Sequence, residues 1–598
     1  MPPQPGLDLS PSDRPRPPLD RALLATAVAT ALLGLLSACG SITPGRHRSP
    51  STTGGQTNPV CTAGASAGPV QAPVFVRNLN PGQTGWFASP LVADLDGTGS
   101  KKIVAALYSL FVYDATGHLL DRADGNGQRI FAPHVVTDLD GDGIQDIVAG
   151  QGHQVFAYEW RNGKLSLKQG WPADTTTAGE QPEVRGLAVA DLDLDGTLEV
   201  VATTTQTRPT DQGGAQVFAF ASTGALFQPA GTPFQAWPRY NTRSGAANGG
   251  DLDRNGAGMD GYGCYALNVG IGNLDDDPRP EIVVTYDNHF IEAFHADGES
   301  LNASPWFTNR SSGFVGDRLA WGQFIRWADP AVDDAQWHLH TGAWPSPAQE
   351  EWLQWTTSPP NVVDLNGDGK AVVVGVPSVE KQIPYQTQAF AVMALEGAWG
   401  DGSRSAMRAP GWEELPRGEV PLLPSGDYPP HGVPAAATVD IQGDARPEIV
   451  VSLDDGYLYA FDASGDRLWR YDYTEGKAMM FASEATIADL NQDGSPEIVF
   501  TTFGDPEVTD SGHLIILAAN GALLHDVPLP HPGHNGNGNG APAAPTIAAL
   551  DATGQLSILV QTFDHGLDVF TVPGSGDRCL LWSTARGGPL RTGAPSGP

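Results

Sequence analysis

The chain has 598 residues, 40% of them hydrophobic, enough for several domains or for one large repeat domain with an ample core. Its 34 basic against 68 acidic residues give a formal charge of −34, and such a surface repels a phosphate backbone, so nucleic acid is excluded as a partner. Gly (72) and Pro (50) are plentiful and no long 3.6-residue periodicity follows the N-terminus, which favours many short strands joined by turns.

In chain order, residues 1–38 read as an export signal. Arg14, Arg16 and Arg21 precede an apolar run from Ala22 to Leu36 that is too short for a comfortable membrane span. The run ends in Leu36-Ser37-Ala38-Cys39-Gly40, which resembles the bacterial lipobox. That resemblance implies lipid on Cys39 as the mature N-terminus, hence a membrane anchor. Gly40 in place of Asp at the next position implies the outer membrane or cell surface. Residues 39–72 are rich in Ser, Thr, Gly and Pro and read as a flexible tether. Export implies an oxidising compartment, in which Cys61, Cys264 and Cys579 are the remaining thiols.

From there to about residue 590 one pattern recurs: a short apolar strand, then D-x-[DN]-x-D-G-x-x-[DE], then an apolar pair. The full copies start at Asp138 (VTDLDGDGIQDIVAG), Asp191, Asn273, Asp440 and Asp489; weaker ones start at Asp94 and Asp364, and a degenerate one at Ala549. Each is followed by an alternating strand and a Gly turn, as in LFVYDATGHLL (110–120) and LYAFDASGDRLW (458–469), the signature of a β-hairpin. Four strands per unit in tandem predict an all-β propeller, with eight blades, or seven if the degenerate copy is absorbed elsewhere. A ring brings its ends together, so Cys61 is expected to pair with Cys579. Residues 591–598 read as a disordered tail.

The repeats resemble the FG-GAP/VCBS family, seen in the propeller of integrin α-subunits and in many bacterial surface proteins. The resemblance covers roughly residues 80–585 and implies calcium in the loops, but not an activity, because one fold hosts many.

The chemistry supports calcium independently. Calcium prefers six to eight hard oxygen ligands, which positions 1, 3, 5 and 9 of such a loop supply as side chains and position 7 as a carbonyl. The sets are Asp138, Asp140, Asp142, Ile144 and Asp146; Asp191, Asp193, Asp195, Thr197 and Glu199; Asn273, Asp275, Asp277, Arg279 and Glu281. They continue with Asp440, Gln442, Asp444, Arg446 and Glu448, and with Asp489, Asn491, Asp493, Ser495 and Glu497. Two loops lack the closing acid: Asp364, Asn366, Asp368 and Lys370 are followed by Val372, and Asp94, Asp96 and Thr98 by Lys102. The expectation is about five to seven calcium ions with a structural role. An EF-hand is excluded, because its position 12 falls on Ala149, Ala202 or Phe500 and the flanks read as strands.

Insertions near 228–262, 302–360 and 396–432 interrupt the rhythm, and loops on a rigid scaffold are where function usually sits. The middle one holds Trp306, Trp321, Trp327, Trp337, Trp344, Trp352 and Trp355, which either pack as a satellite core or face a ligand. Asp251-x-Asp253-x-Asn255 is a further loop candidate, His338 and His340 a weak metal pair, and His525, His531 and His534 flank a Gly/Asn run. The function expected is a surface-tethered, non-enzymatic binding, scaffold or adhesion module with a protein or glycan ligand on the insertion face. The alternative is a carbohydrate-active enzyme such as a polysaccharide lyase, whose catalytic residues match no position here.

Overall fold

The computed structural model describes residues 58–64, 68–176, 181–205, 217–229, 237, 264–286, 291–308, 320–322, 325, 327–331, 351–380, 389–420, 432–474, 476–504, 512–530 and 538–595. The signal segment, Cys39, the Asp251 loop, Trp337, Trp344, His338, His340, His531 and His534 lie outside them.

The repeat pattern becomes antiparallel sheets. The first contains Leu91–Ala93, Lys102–Ala106, Leu110–Asp114 and Leu119–Ala123, paired in that order. The second is built alike from Val135–Thr137, Asp146–Gln151, Gln154–Arg161 and Lys164–Leu167. Sheets of the same plan begin at Val184–Ala190, Val269–Gly272, Asn361–Val363, Ala437–Val439, Thr486–Ala488 and Thr546–Ala549. In each, the second strand is an apolar run such as Ile147-Val148 or Ile498-Val499, buried on both faces because sheets pack against it from either side.

The opening strands form a closed ring. Those at Leu91, Val135, Val184, Val269 and Asn361 touch in succession. Asn361 donates to the Ala436 carbonyl at 2.7 Å, which carries the ring to the sixth sheet. Leu580–Trp582 bridges the sixth and seventh sheets, and the seventh, eighth and first then meet. Ring closure through first strands defines a β-propeller. Val74–Leu79 supplies the outer strand of the last sheet, pairing Leu79 with Leu567 and Val74 with Thr571, so both ends of the chain lock one blade.

Two expectations about the ends are corrected. The tether does not run free to residue 72. From Asn58 the chain lies against the calcium-type loops, with Asn58 donating to the Asp364 carbonyl at 3.2 Å and the Gly64 amide to Gln492 at 2.8 Å. Asn491 donates to the Gly68 carbonyl at 3.0 Å, and Cys61 is bonded to Cys579 as expected. Composition missed these contacts because every partner is distant in sequence. Nor is the stretch after 590 a tail as far as it is described. Residues 580–595 thread the middle of the ring, where Leu590, Thr592 and Gly593 accept hydrogen bonds from Val189, Ile271 and Val362 on successive inner strands. Arg586 and Arg591 are fully buried there and saturate carbonyls of Val269, Pro360, His134 and Ser89.

Of the insertion tryptophans, Trp321, Trp327 and Trp355 are buried and Trp306 and Trp352 half-buried. Trp321 and Trp355 join one apolar cluster with Val283, Phe294 and Val373, so the packing reading holds for them. A small extra sheet, Trp352–Gln354, Ser378–Glu380 and Ala389–Phe390, has no counterpart in the repeat pattern.

Candidate metal centres

Every repeat loop connects the first and second strands of its sheet, so all of them lie on one face of the ring. Position 1 organises the turn. Asp138 accepts the amides of Gly141 and Gly143 at 2.8 Å, Asp191 those of Asp195 and Gly196, and Asp489 those of Asp493 and Gly494. Gly143 has a φ of +85°, which explains Gly at position 6. Position 9 opens the second strand and turns inward. Its carboxylate accepts the amide of position 2, at 2.9 Å from Glu199 to Leu192 and 2.8 Å from Glu497 to Leu490. The motif's acids thus meet for a geometric reason, one at the top of the turn and one beneath it.

Burial beneath the turn is electrostatically costly. Burial first, then the neighbouring aspartates, push Glu199 and Glu497 up to about 8 and Glu448 up to about 7. Oδ1 of Asp193 is buried with no hydrogen-bond partner. Ligand atoms of Asp191, Asp193 and Glu199 lie within 4.8 Å of one another. Among the described residues no basic side chain pairs with the acids of the loops at Asp191, Asp440 and Asp489. These sites fit a hard divalent cation, which would satisfy the orphan oxygen and hold the closing Glu ionised.

The remaining loops differ. At Asn273, Asp275 and Glu281 converge with His295, whose Nδ1 is 3.3 Å from Glu281. Burial pushes Glu281 up to about 7 against the pull of His295. Sequence reading missed His295 because it comes from the hairpin after the loop. The Asp364 loop has the full set of turn bonds, with Gly367 and Gly369 donating to Asp364 at 2.8 and 2.7 Å, but Val372 beneath it. In the Asp138 loop Lys168 lies 2.8 Å from Asp140 and 3.2 Å from Asp146, and Arg161 lies 3.2 Å from Asp142. In the Asp94 loop Lys102 lies 2.7 Å from Asp96; burial raises Asp96, but Lys102 and Thr98 outweigh it and hold the carboxyl at about 2. The Ala549 copy keeps only the Asp551 turn, with Thr553 donating to it.

Each first strand runs toward this loop face, so the chain enters it from the opposite face. There Arg129 and Arg185 share Glu183, and their guanidinium groups lie 4.5 Å from the Trp86 ring centre and 4.0 Å from that of Phe131. Tyr265, 39% exposed, lies 5.3 Å from Arg185. No sequence motif marks this group, since its members sit singly before different blades. His525 is a structural partner, its Nε2 2.9 Å from the Val70 carbonyl.

Residues 138–202 match the family model described as an FG-GAP-like repeat. The chain carries an FG-GAP-like repeat. That stretch spans the Asp138 and Asp191 loops with the hairpin between them, so the repeat is one loop-to-loop unit of the ring. No curated protein matches the sequence. Among solved structures, BamB from Moraxella catarrhalis is 13% identical, with 83% of this chain and 97% of that one covered and a TM-score of 0.38. The V. cholerae biofilm matrix protein Bap1 is also 13% identical, with 86% and 93% covered and a TM-score of 0.36. The Bacillus licheniformis rhamnogalacturonan lyase is 15% identical, with 83% and 74% covered and a TM-score of 0.31. Scores at this level say nothing about activity.

Proposed function

We propose that the chain is a non-enzymatic binding or scaffold module: an eight-bladed, calcium-stabilised propeller, lipid-anchored through Cys39 at the outer membrane or cell surface. The observation that carries this reading is the placement of residues 58–64 and 68–70 on the loop face. The described chain starts on the loop face, which leaves the opposite face uncovered by this segment. The strands that follow the insertions at 228–262 and 302–360 start from that opposite face, at Val269 and Asn361, whereas Gly400 of the third insertion lies on the loop face and donates to Asp276. The opposite face also carries the Arg129, Arg185, Trp86 and Tyr265 group, a combination suited to a protein or glycan ligand. The calcium loops serve the frame, since each set of acids converges within its own turn.

The test is a glycan, polysaccharide and protein-ligand array of the mature domain, comparing wild type with Arg185→Ala and Trp86→Ala. The reading expects binding that both variants weaken with little change in melting temperature. Turnover of a polysaccharide with new unsaturated ends would replace it with a lyase. Cys39→Ser is expected to release the protein from the membrane fraction; retention there would refute the lipid anchor.

A further inference from the structure

We infer that the first two repeats are closed by lysine ammonium groups of this chain and take no calcium. The inference rests on the reading that the intact loops bind calcium, and it divides the loops into two classes.

The Asp138 loop has as complete an acidic motif as any in the sequence, and ligand atoms of Asp138, Asp140 and Asp146 lie within 4.8 Å of one another with Oδ1 of Asp146 left without a hydrogen-bond partner, yet a cationic side chain already stands among them. Lys168, only 5% exposed, projects from the second hairpin of the same sheet and sits 2.8 Å from Asp140, 3.2 Å from Asp146 and 3.5 Å from Glu159. Asp140 and Asp146 are positions 3 and 9, which calcium would have to take. Calcium needs those oxygens at about 2.3–2.6 Å around one point, and an ammonium hydrogen-bonded to both occupies that point. Arg161 takes Asp142, the position 5 acid, at 3.2 Å.

The Asp94 loop reaches the same end by another route. Lys102 stands at position 9 itself. Its Nζ lies 2.7 Å from Asp96 and donates to the Ser100 carbonyl at 3.0 Å, so one ammonium takes the position 3 carboxylate and the position 7 carbonyl. The two lysines come from different places in the sequence and arrive at the same group of oxygens. Among the described residues nothing comparable enters the loops at Asp191, Asp440 or Asp489. An ammonium supplies one charge without depending on the calcium level, so the first two blades stay closed when the others are stripped.

Calcium stoichiometry of the whole mature chain, by calorimetry and native mass spectrometry, tests this directly. Asp140→Asn is expected to leave the count unchanged, Asp193→Asn to lower it by one, and Lys168→Gln to raise it by one. Lys168→Gln should also melt lower in chelator and recover in calcium. A drop of one ion in Asp140→Asn, or no added ion in a folded Lys168→Gln, overturns the inference. If Lys168→Gln does not fold, the ion count of Asp140→Asn alone decides. If wild type binds no calcium, the general calcium reading fails, and the inference stands only if Lys168→Gln then gains an ion.

Discussion

Glu199→Gln separates a calcium site from an acidic turn because the two predict opposite effects. In the metal-free loop, burial and then Asp193 and Asp191 push Glu199 up to about 8 from an ordinary value of 4.5. Each pKa unit is about 1.36 kcal/mol, so ionising this buried carboxyl costs the folded state on the order of 5 kcal/mol relative to the unfolded chain. The folded state holds the proton more tightly. The stabilisation from the raised pKa is therefore present below pH 4.5 and is lost as pH rises to about 8. Calcium reverses this by binding the ionised form, and about 2.7 kcal/mol is gained at a hundredfold excess over Kd. Metal-stripped wild type is thus expected to melt lower at pH 8 than at pH 6, and Glu199→Gln to recover part of that loss. In calcium at pH 8 the same variant should melt below wild type, because the ion has lost a charged ligand. Thermal melts at both pH values, with and without calcium, check the crossing. An equal loss in calcium and in chelator would show that Glu199 is a packing residue and refute the reasoning.

Three further outcomes follow from the frame. Arg586→Met leaves the Val269 and Pro360 carbonyls and the Asn361 amide oxygen without their donor, and it is expected to cost about 3–5 kcal/mol by denaturant titration. Reduction, or Cys61→Ala with Cys579→Ala, should cost about 2–4 kcal/mol and make residues 58–70 sensitive to protease while the ring stays folded. Trp355→Ala, in the core beside Gly375, is expected to cost about 3–5 kcal/mol of stability without altering ligand affinity per folded molecule. An unchanged stability in any of the three, read by the same titration, would contradict the packing described.

What was legible in the sequence was whatever repeats. The loop-strand-hairpin period gave the sheets, their order and the inward-facing position 9, because those depend on residues a few places apart. What was not legible depends on partners far along the chain: the placement of 58–64 and 68–70 on the loops, the central path of 580–595, and the Arg129, Glu183 and Arg185 group. The loops sharpen the point. By spacing alone Asp138 and Asp191 head equivalent sites, and Glu199 and Asp146 are equivalent closing acids. They part company because Lys168 ion-pairs with one of them from the next hairpin, whereas the other feels Arg279 only at longer range, through Asp193, and among the described residues forms no ion pair. Burial pushes Asp146 up only to about 6, with Lys168 pulling against it, whereas Glu199 reaches about 8 with no such partner. A local motif specifies the oxygens, but the cation they hold is chosen by what the rest of the blade places beside them.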